Sequence, residues 1–150
     1  MSPAEVEAYL REHIPLTTAI GVRVIEAGPD RVRLRAPLEP NLNHRSTAFG
    51  GSVAALAVLS GWTLVHLRLA SQGLRARTVI QQSTVRYDAP IRDAFDAMCE
   101  APAAAAWTRF TRALARRGRG RVWVQASVAS EGRVAASFEG AYVSLAEADA

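Results

Sequence analysis

Gly51-Ser52-Val53-Ala54-Ala55-Leu56-Ala57-Val58-Leu59-Ser60-Gly61-Trp62-Thr63-Leu64-Val65-His66-Leu67-Arg68-Leu69-Ala70-Ser71 is the stretch on which the fold turns. Wound at 3.6 residues per turn, its apolar side chains occupy nearly every side of a helix. A helix apolar all round has to be surrounded by protein. Gly73 follows as a C-terminal stop, and Arg68 sits near the negative end of the helix dipole.

Outward from this helix the chain reads mostly as strands. Arg31-Val32-Arg33-Leu34-Arg35 alternates strictly, which predicts a strand with one apolar and one wet face. Residues 17–27 read as its extended partner across the Gly28-Pro29-Asp30 turn, making an antiparallel hairpin. Upstream, Ser2-Pro3-Ala4-Glu5 opens a short helix that runs to about His13, before Pro15. Strands are predicted over 76–88, 94–101, 121–130 and 133–145, the last two joined through Glu131-Gly132. Ala103 to Arg116 reads as a helix with Trp107, Phe110 and Leu114 on one face, broken by Gly118 and Gly120. No linker or repeat divides the chain, so the expectation is one α+β domain, an antiparallel sheet curled around a long central helix. A parallel βαβ arrangement is disfavoured, because the strand pairs stand at hairpin spacing.

Composition narrows the function classes. The chain has 150 residues, 49% hydrophobic and 21% charged, a globular balance that argues against disorder. A chain of this length buries about 68–70% of its unfolded surface, enough for a core without staples. Cys99 is the one cysteine, which excludes an intrachain disulfide and a cysteine-rich zinc site, and it reads as a packing residue. All 18 basic residues are arginine, against 14 acids, for a net charge of +4. The dense run Arg109, Arg112, Arg116, Arg117, Arg119 and Arg121 reads as a solvated helix face and turn, or else as a seat for an anion. Beyond Trp107 and Phe110 it lacks the aromatic interleaving of a nucleic-acid surface, so no nucleic acid is expected as a partner.

The first residues carry glutamates and no apolar core, unlike a signal peptide. Val53 to Leu59, the strictly apolar part of the central stretch, falls short of the roughly 18 residues of a membrane span. The expectation is a cytoplasmic protein with no membrane partner. His13, His44 and His66 are not at metal-ligand spacing, and no GxGxxG or P-loop sequence occurs, so neither metal nor cofactor is expected. Gly50-Gly51-Ser52-Val53-Ala54 lacks the last glycine of a nucleophile elbow.

What remains is the polar loop ahead of the helix, Asn41-Leu42-Asn43-His44-Arg45-Ser46-Thr47-Ala48-Phe49-Gly50-Gly51-Ser52. First-turn amides near Gly50, Gly51 and Ser52 are unpaired donors at the positive end of the dipole. Glycine there lets a ligand approach the backbone. Such donors suit a carbonyl oxygen that gains charge during acyl transfer. The other reading is structural: the glycines permit tight helix–sheet contact and Ser52 caps the helix. His44 is the one group in the loop that titrates near neutrality, fit to activate water or protonate a leaving thiolate, with Asn43 to orient the water. Both may equally be read as loop scaffolding. His66, roughly 21 Å from Ser52 at about 1.5 Å per residue, reads as structural. Ser83, on a strand crossing the helix, is a lining candidate.

Asn43-His44-Arg45-Ser46-Thr47-Ala48-Phe49-Gly50-Gly51 resembles the pre-helix motif N-x-x-G-x-x-H-G-G of hotdog-fold thioesterases. It is most similar to the thioesterase family named for the YiiD C-terminal domain, in which N-H-x-G-T-x-F-G-G-S precedes a helix bearing Gly-Trp. Gly61-Trp62, Tyr87-Asp88-Ala89-Pro90-Ile91 and the Trp107/Phe110 segment fit that family too. The resemblance implies a hotdog fold, paired as a homodimer or dimer of dimers. It also implies acyl-CoA or acyl-carrier-protein thioesters as substrates, placed at the dimer interface, with His44 and Asn43 as catalytic residues. Phe49, Gly50, Gly51, Ser52 and Ser83 would then bind substrate.

Three departures bear on the chemistry. Phe49 stands where the common motif has histidine, Ser46 where it has glycine, and Val58 where many relatives carry a catalytic carboxylate. No Asp or Glu occurs from Asn41 to Leu67. A non-catalytic module that binds acyl-CoA or acyl-carrier protein is therefore the competing expectation.

Overall fold

The structure is a computed structural model that describes residues 1–148. Helix α1 (Pro3–His13) begins with both halves of a capping box, in which the Ser2 hydroxyl accepts from the Glu5 amide and the Glu5 carboxylate accepts from the Ser2 amide. Its buried residues, Val6 and Leu10, face strand β1 (Arg23–Ala27).

Between these elements lies a correction. Residues 17–27 are not extended throughout, because Leu16–Ile20 forms a short helix, α2. The Thr17 hydroxyl donates to the Ile14 carbonyl at 2.8 Å, and Gly21 ends the helix at φ 78°. The β-branched threonines invite a strand reading, but side-chain bonding at the helix start and a left-handed glycine stop hold the turn.

Strand β1 pairs antiparallel with β2 (Arg31–Ala36), as the hairpin reading expects. A 3-10 turn, Glu39–Asn41, and a loop then lead into helix α3 (Gly50–Ser71). Strands β3 (Ala76–Tyr87) and β4 (Phe95–Glu100), helix α4 (Ala104–Arg117) and strands β5 (Arg119–Ser130) and β6 (Arg133–Ala146) complete the chain. Glu131 and Gly132 take φ of 52° and 75°, matching the primed turn a tight hairpin prefers. Gly118 ends α4 at φ 70°, but Gly120 lies inside β5 and breaks nothing. Its missing side chain makes room for Phe110: a Cβ there would meet the Phe110 carbonyl oxygen at 2.6 Å.

The six strands form one antiparallel sheet in the order β1-β2-β4-β5-β6-β3. Helix α3 contacts β2, β3, β4, β5 and β6, so the sheet wraps it. Leu56, Leu64 and Val65 of the helix are fully buried against Val32, Leu34, Phe95, Val128 and Tyr142 from the strands. Each such side chain contributes roughly 1.5–3 kcal/mol on burial. By length and composition α3 is also able to cross a bilayer, but eleven of its residues are buried inside this wrap. Gly61 lets Tyr142 close in, and the Tyr142 hydroxyl donates to the Val58 carbonyl at 2.6 Å.

One side of α3 stays only half covered. Ala55, Val58, Trp62 and His66 are partly exposed at spacings of three and four, a stripe beside the open edge of β3. A bulge between Ile80 and Gln82 shifts the register of β3 against β6. Ser83, Val85 and Tyr87 then share the face that pairs with Gly140, Phe138 and Ala136.

Candidate functional site at the start of the central helix

The loop before α3 is tied down from within. Asn41 is buried, and its amide donates to the carbonyls of Ile20 at 2.9 Å and Pro37 at 2.7 Å. Its own carbonyl accepts from the Phe49 amide at 2.7 Å, which fixes the entry to the helix. Asn43 holds the loop that follows. Its side-chain oxygen accepts from the amides of Arg45 and Thr47, and its nitrogen donates to the Thr47 hydroxyl at 2.9 Å. Ala48 adds a bond to the Ile91 carbonyl at 2.9 Å. Asn43 is thus engaged as a turn-former whose side chain replaces missing backbone partners.

At the helix start, Phe49 occupies the N-cap position without any side-chain cap. The amides of Ser52 and Val53 donate to the Phe49 carbonyl at 3.0 and 3.1 Å. Those of Gly50 and Gly51 have no backbone acceptor among the described residues. They carry the positive end of a 22-residue helix whose first turn holds no acid. The Ser52 side chain does not cap the helix. The Phe49 ring lies over Gly51, so that a side chain at 51 would collide with it, while Phe49 itself is 57% exposed.

Tyr87 and the turn after β3 supply the facing wall. The Tyr87 hydroxyl donates to the Gly50 carbonyl at 3.0 Å and its ring lies against Gly50. A cleft of about 320 Å³ opens there, lined by Ala48, Gly50, Val53, Tyr87, Asp88 and Ile91 among others. Asp88 is among the lining residues of this cleft, and its carboxylate pairs with Arg86 at 3.0 Å. Its backbone is pinned, since the amides of Asp88 and Ala89 both donate to the Ala135 carbonyl. Neither Tyr87 nor Asp88 is among the sequence-derived site residues. Their cue was the abrupt strand ending Tyr87-Asp88-Ala89-Pro90, which reads as a stop signal when the return of β3 to the helix start is unknown.

The remaining candidates are dispersed. His44 is exposed on the loop and lines no part of the cleft. Ser83 lies four residues before Tyr87, about 13 Å away at 3.3 Å per residue, and faces the half-covered side of α3 instead. His66 is half-buried far along α3, stacked between Tyr9 and Trp62. Cys99 is buried with its thiol 3.3 Å from the Gln125 carbonyl, and burial pushes its pKa up to about 12, which keeps it an inert thiol at neutral pH. Among the described residues no three His, Cys, Asp or Glu side chains gather to hold a metal ion.

A cleft at a polarised glycine tip, with a phenol and a carboxylate opposite, suits a planar carbonyl that becomes an oxyanion. Comparison with known proteins identifies the family and the fold. Residues 3–146 match the family model described as "Putative thioesterase (yiiD_Cterm)". A protein of unknown function from Chlorobaculum tepidum superposes with a TM-score of 0.88 at 27% identity, over 97% of this chain and 98% of that one. A thioesterase-like protein from Shewanella oneidensis gives 0.84 at 24% identity, over 95% and 96%. A protein of unknown function from Pseudomonas aeruginosa gives 0.82 at 24% identity, over 97% of both chains. The fold these structures share is the hotdog arrangement of sheet and central helix.

Proposed function

We propose, from the premise that the chain belongs to the thioesterase family named for the YiiD C-terminal domain, that it hydrolyses acyl thioesters of coenzyme A or acyl-carrier protein at the start of α3. The observation that carries this reading is the pair of unpaired amides at Gly50 and Gly51 at the start of α3, beside a cleft lined by Gly50 and Asp88.

The chemistry follows from that placement. The thioester carbonyl oxygen accepts from the Gly50 and Gly51 amides, which strengthen their hold as it becomes negative. A lost donor of this kind costs about 2.7–4 kcal/mol of transition-state stabilisation. Asp88 takes a proton from water as the water attacks the carbonyl carbon. Collapse of the tetrahedral intermediate breaks the carbon–sulfur bond, and the leaving thiolate takes the proton held by Asp88, giving a carboxylic acid and a free thiol and restoring the Asp88 carboxylate. Asp88 thereby stands in for the carboxylate that α3 lacks. The acyl chain lies along the half-covered stripe of Ala55 and Val58, across from Ser83 and Val85.

The active unit of this reading is a homodimer. Strand β3 pairs with β6 on one side and has an open edge on the other. A second copy pairing antiparallel on that edge continues the sheet and covers the Ala55 and Val58 end of the α3 stripe.

The test is a panel of acyl-CoA and acyl-carrier-protein substrates with a dye that reports free thiol. Turnover that falls at least about a hundredfold in Asp88→Asn supports the hydrolase. Saturable acyl-CoA binding without thiol release from any substrate overturns it, and favours the non-catalytic binding module that the carboxylate-free helix otherwise suggests.

A further inference from the structure

Far from Gly50 on the same helix, four rings form a ladder. The His66 imidazole stacks on Trp62 at 4.8 Å and on Tyr9 at 5.2 Å, with planes inclined by 11° and 22°. His13 closes the other end, 4.0 Å from Tyr9. Trp62 is fixed by its indole N–H, which donates to the Thr78 carbonyl at 2.9 Å. Burial, with His13 nearby, pushes the His66 pKa below its ordinary value.

This ladder walls a groove of about 730 Å³ floored by Leu69, Leu74 and Ala76. Arg75 and Arg77 stand on its rim, 69% and 79% exposed. Among the described residues their one carboxylate neighbour is Glu147, at 3.9 and 4.0 Å, too far for a hydrogen bond. Two guanidinium forks beside a pre-ordered aromatic surface fit one kind of ligand, a flat heteroaromatic base carrying phosphate. The arginine run on α4 does not match it, because its aromatic neighbours Trp107 and Phe110 are buried.

We propose that this groove binds the adenine-nucleotide end of coenzyme A, the base on the Trp62–His66 ladder and phosphate on Arg75 and Arg77. The proposal rests on the thioesterase reading and deepens it, since a carrier protein presents no adenine. Within one protomer the groove is about 24 Å from Gly50 along the helix, at 1.5 Å per residue. Across the two-fold of an antiparallel β3 pair, the Ala76 end of one strand meets the Tyr87 end of the other. The nucleotide then sits in one protomer and the thioester at the helix tip of the second copy.

Calorimetric titration of the full chain with adenosine 3′,5′-bisphosphate tests this. Saturable binding is expected, weakened about tenfold or more by Trp62→Ala and by Arg75→Ala with Arg77→Ala. Trp62→Phe retains most of the affinity, which separates stacking from damage to the fold, and Arg112→Ala on α4 leaves it unchanged. Ribose 5-phosphate, which has no base, binds at least tenfold more weakly. Absence of binding at millimolar nucleotide overturns the proposal, as does affinity that survives in Arg75→Ala/Arg77→Ala but falls in Arg112→Ala. A truncated thioester, acyl N-acetylcysteamine, reads the helix tip alone. Its hydrolysis without nucleotide binding overturns the groove and leaves the hydrolase standing. Nucleotide binding without thiol release from any thioester supports the groove and removes the hydrolase.

Discussion

Hydrolysis at the tip of α3 needs a group that accepts a proton from water, and Asp88 and His44 are the two candidates. Asp88 lines the cleft with Gly50, whereas His44 is exposed on the loop. With Asp88 as base, kcat/KM is expected to fall at least about a hundredfold in Asp88→Asn and to stay within a few-fold of wild type in His44→Ala. The reverse pattern, a loss confined to His44→Ala, assigns the proton to the imidazole instead. The sequence pointed to His44 because it is the one imidazole in a polar loop. It hid Asp88 because the contact is made by β3 folding back on the helix start, a long-range event with no local signature. Gly61 is a second residue whose role is purely spatial. A Cβ there would meet the Tyr142 hydroxyl at 2.5 Å, in a fully buried setting. Gly61→Ala therefore lowers stability by about 1–3 kcal/mol, read as a lower urea midpoint at unchanged slope, despite the better helix propensity of alanine.

Among the elements, those with a strong period were legible and those set by a single contact were not. The all-apolar surface of α3 announced a wrapped helix, and the alternation Val122, Val124, Ala126, Val128 announced β5, because burial imposes those periods directly. The short helix Leu16–Ile20 and the passage of β5 through Gly120 depend on one hydroxyl bond and one ring contact, which no periodicity reports. Strand β2 shows the middle case. Its alternation gave Arg31, Arg33 and Arg35 a wet face but left their partners open. Arg33 and Arg35 converge on Asp96 of β4, and Arg31 reaches Glu100 at 2.6 Å. Burial works to raise the Asp96 pKa, yet the bonds from Arg35 and Arg33 outweigh it and hold the carboxyl below its ordinary value. A depressed folded pKa contributes stability that is complete above the unfolded value, near 3.9, and is lost as pH falls below it. Wild-type protein is expected to lose urea resistance between about pH 5 and pH 3, and Asp96→Asn to lose less over that interval. Equal slopes in the two proteins would leave the β2–β4 arginine cluster without a role in acid stability.

For the molecule as a whole, the two ends of the sheet differ in how they are closed. At the β1 end, α1 packs alongside and the Glu7 carboxylate accepts from the Val24 amide at 2.9 Å. At the β3 end the one such cover among the described residues is Trp62 on the Thr78 carbonyl. The rest of a 12-residue strand is left with Val79 58%, Ile80 36% and Tyr87 54% exposed. A long, apolar, unpaired edge recruits another strand, and proteins that stay free at such an edge place charge or proline on it. Here β3 carries neither between Thr78 and Val85. Antiparallel pairing of two β3 strands satisfies both edges at once, and because α3 runs against β3 it sets the helix tip of each copy beside the His66 end of the other. Light scattering is expected to give a dimer or a dimer of dimers at micromolar concentration. Ile80→Lys puts a charge into that edge and should yield a monomer with unchanged far-UV circular dichroism. If the catalytic unit spans the two-fold, the same variant loses thioesterase activity although Gly50, Gly51 and Asp88 are untouched. A wild-type monomer, or a lysine variant that is monomeric and fully active, would confine the site to one copy and remove the shared interface from the mechanism.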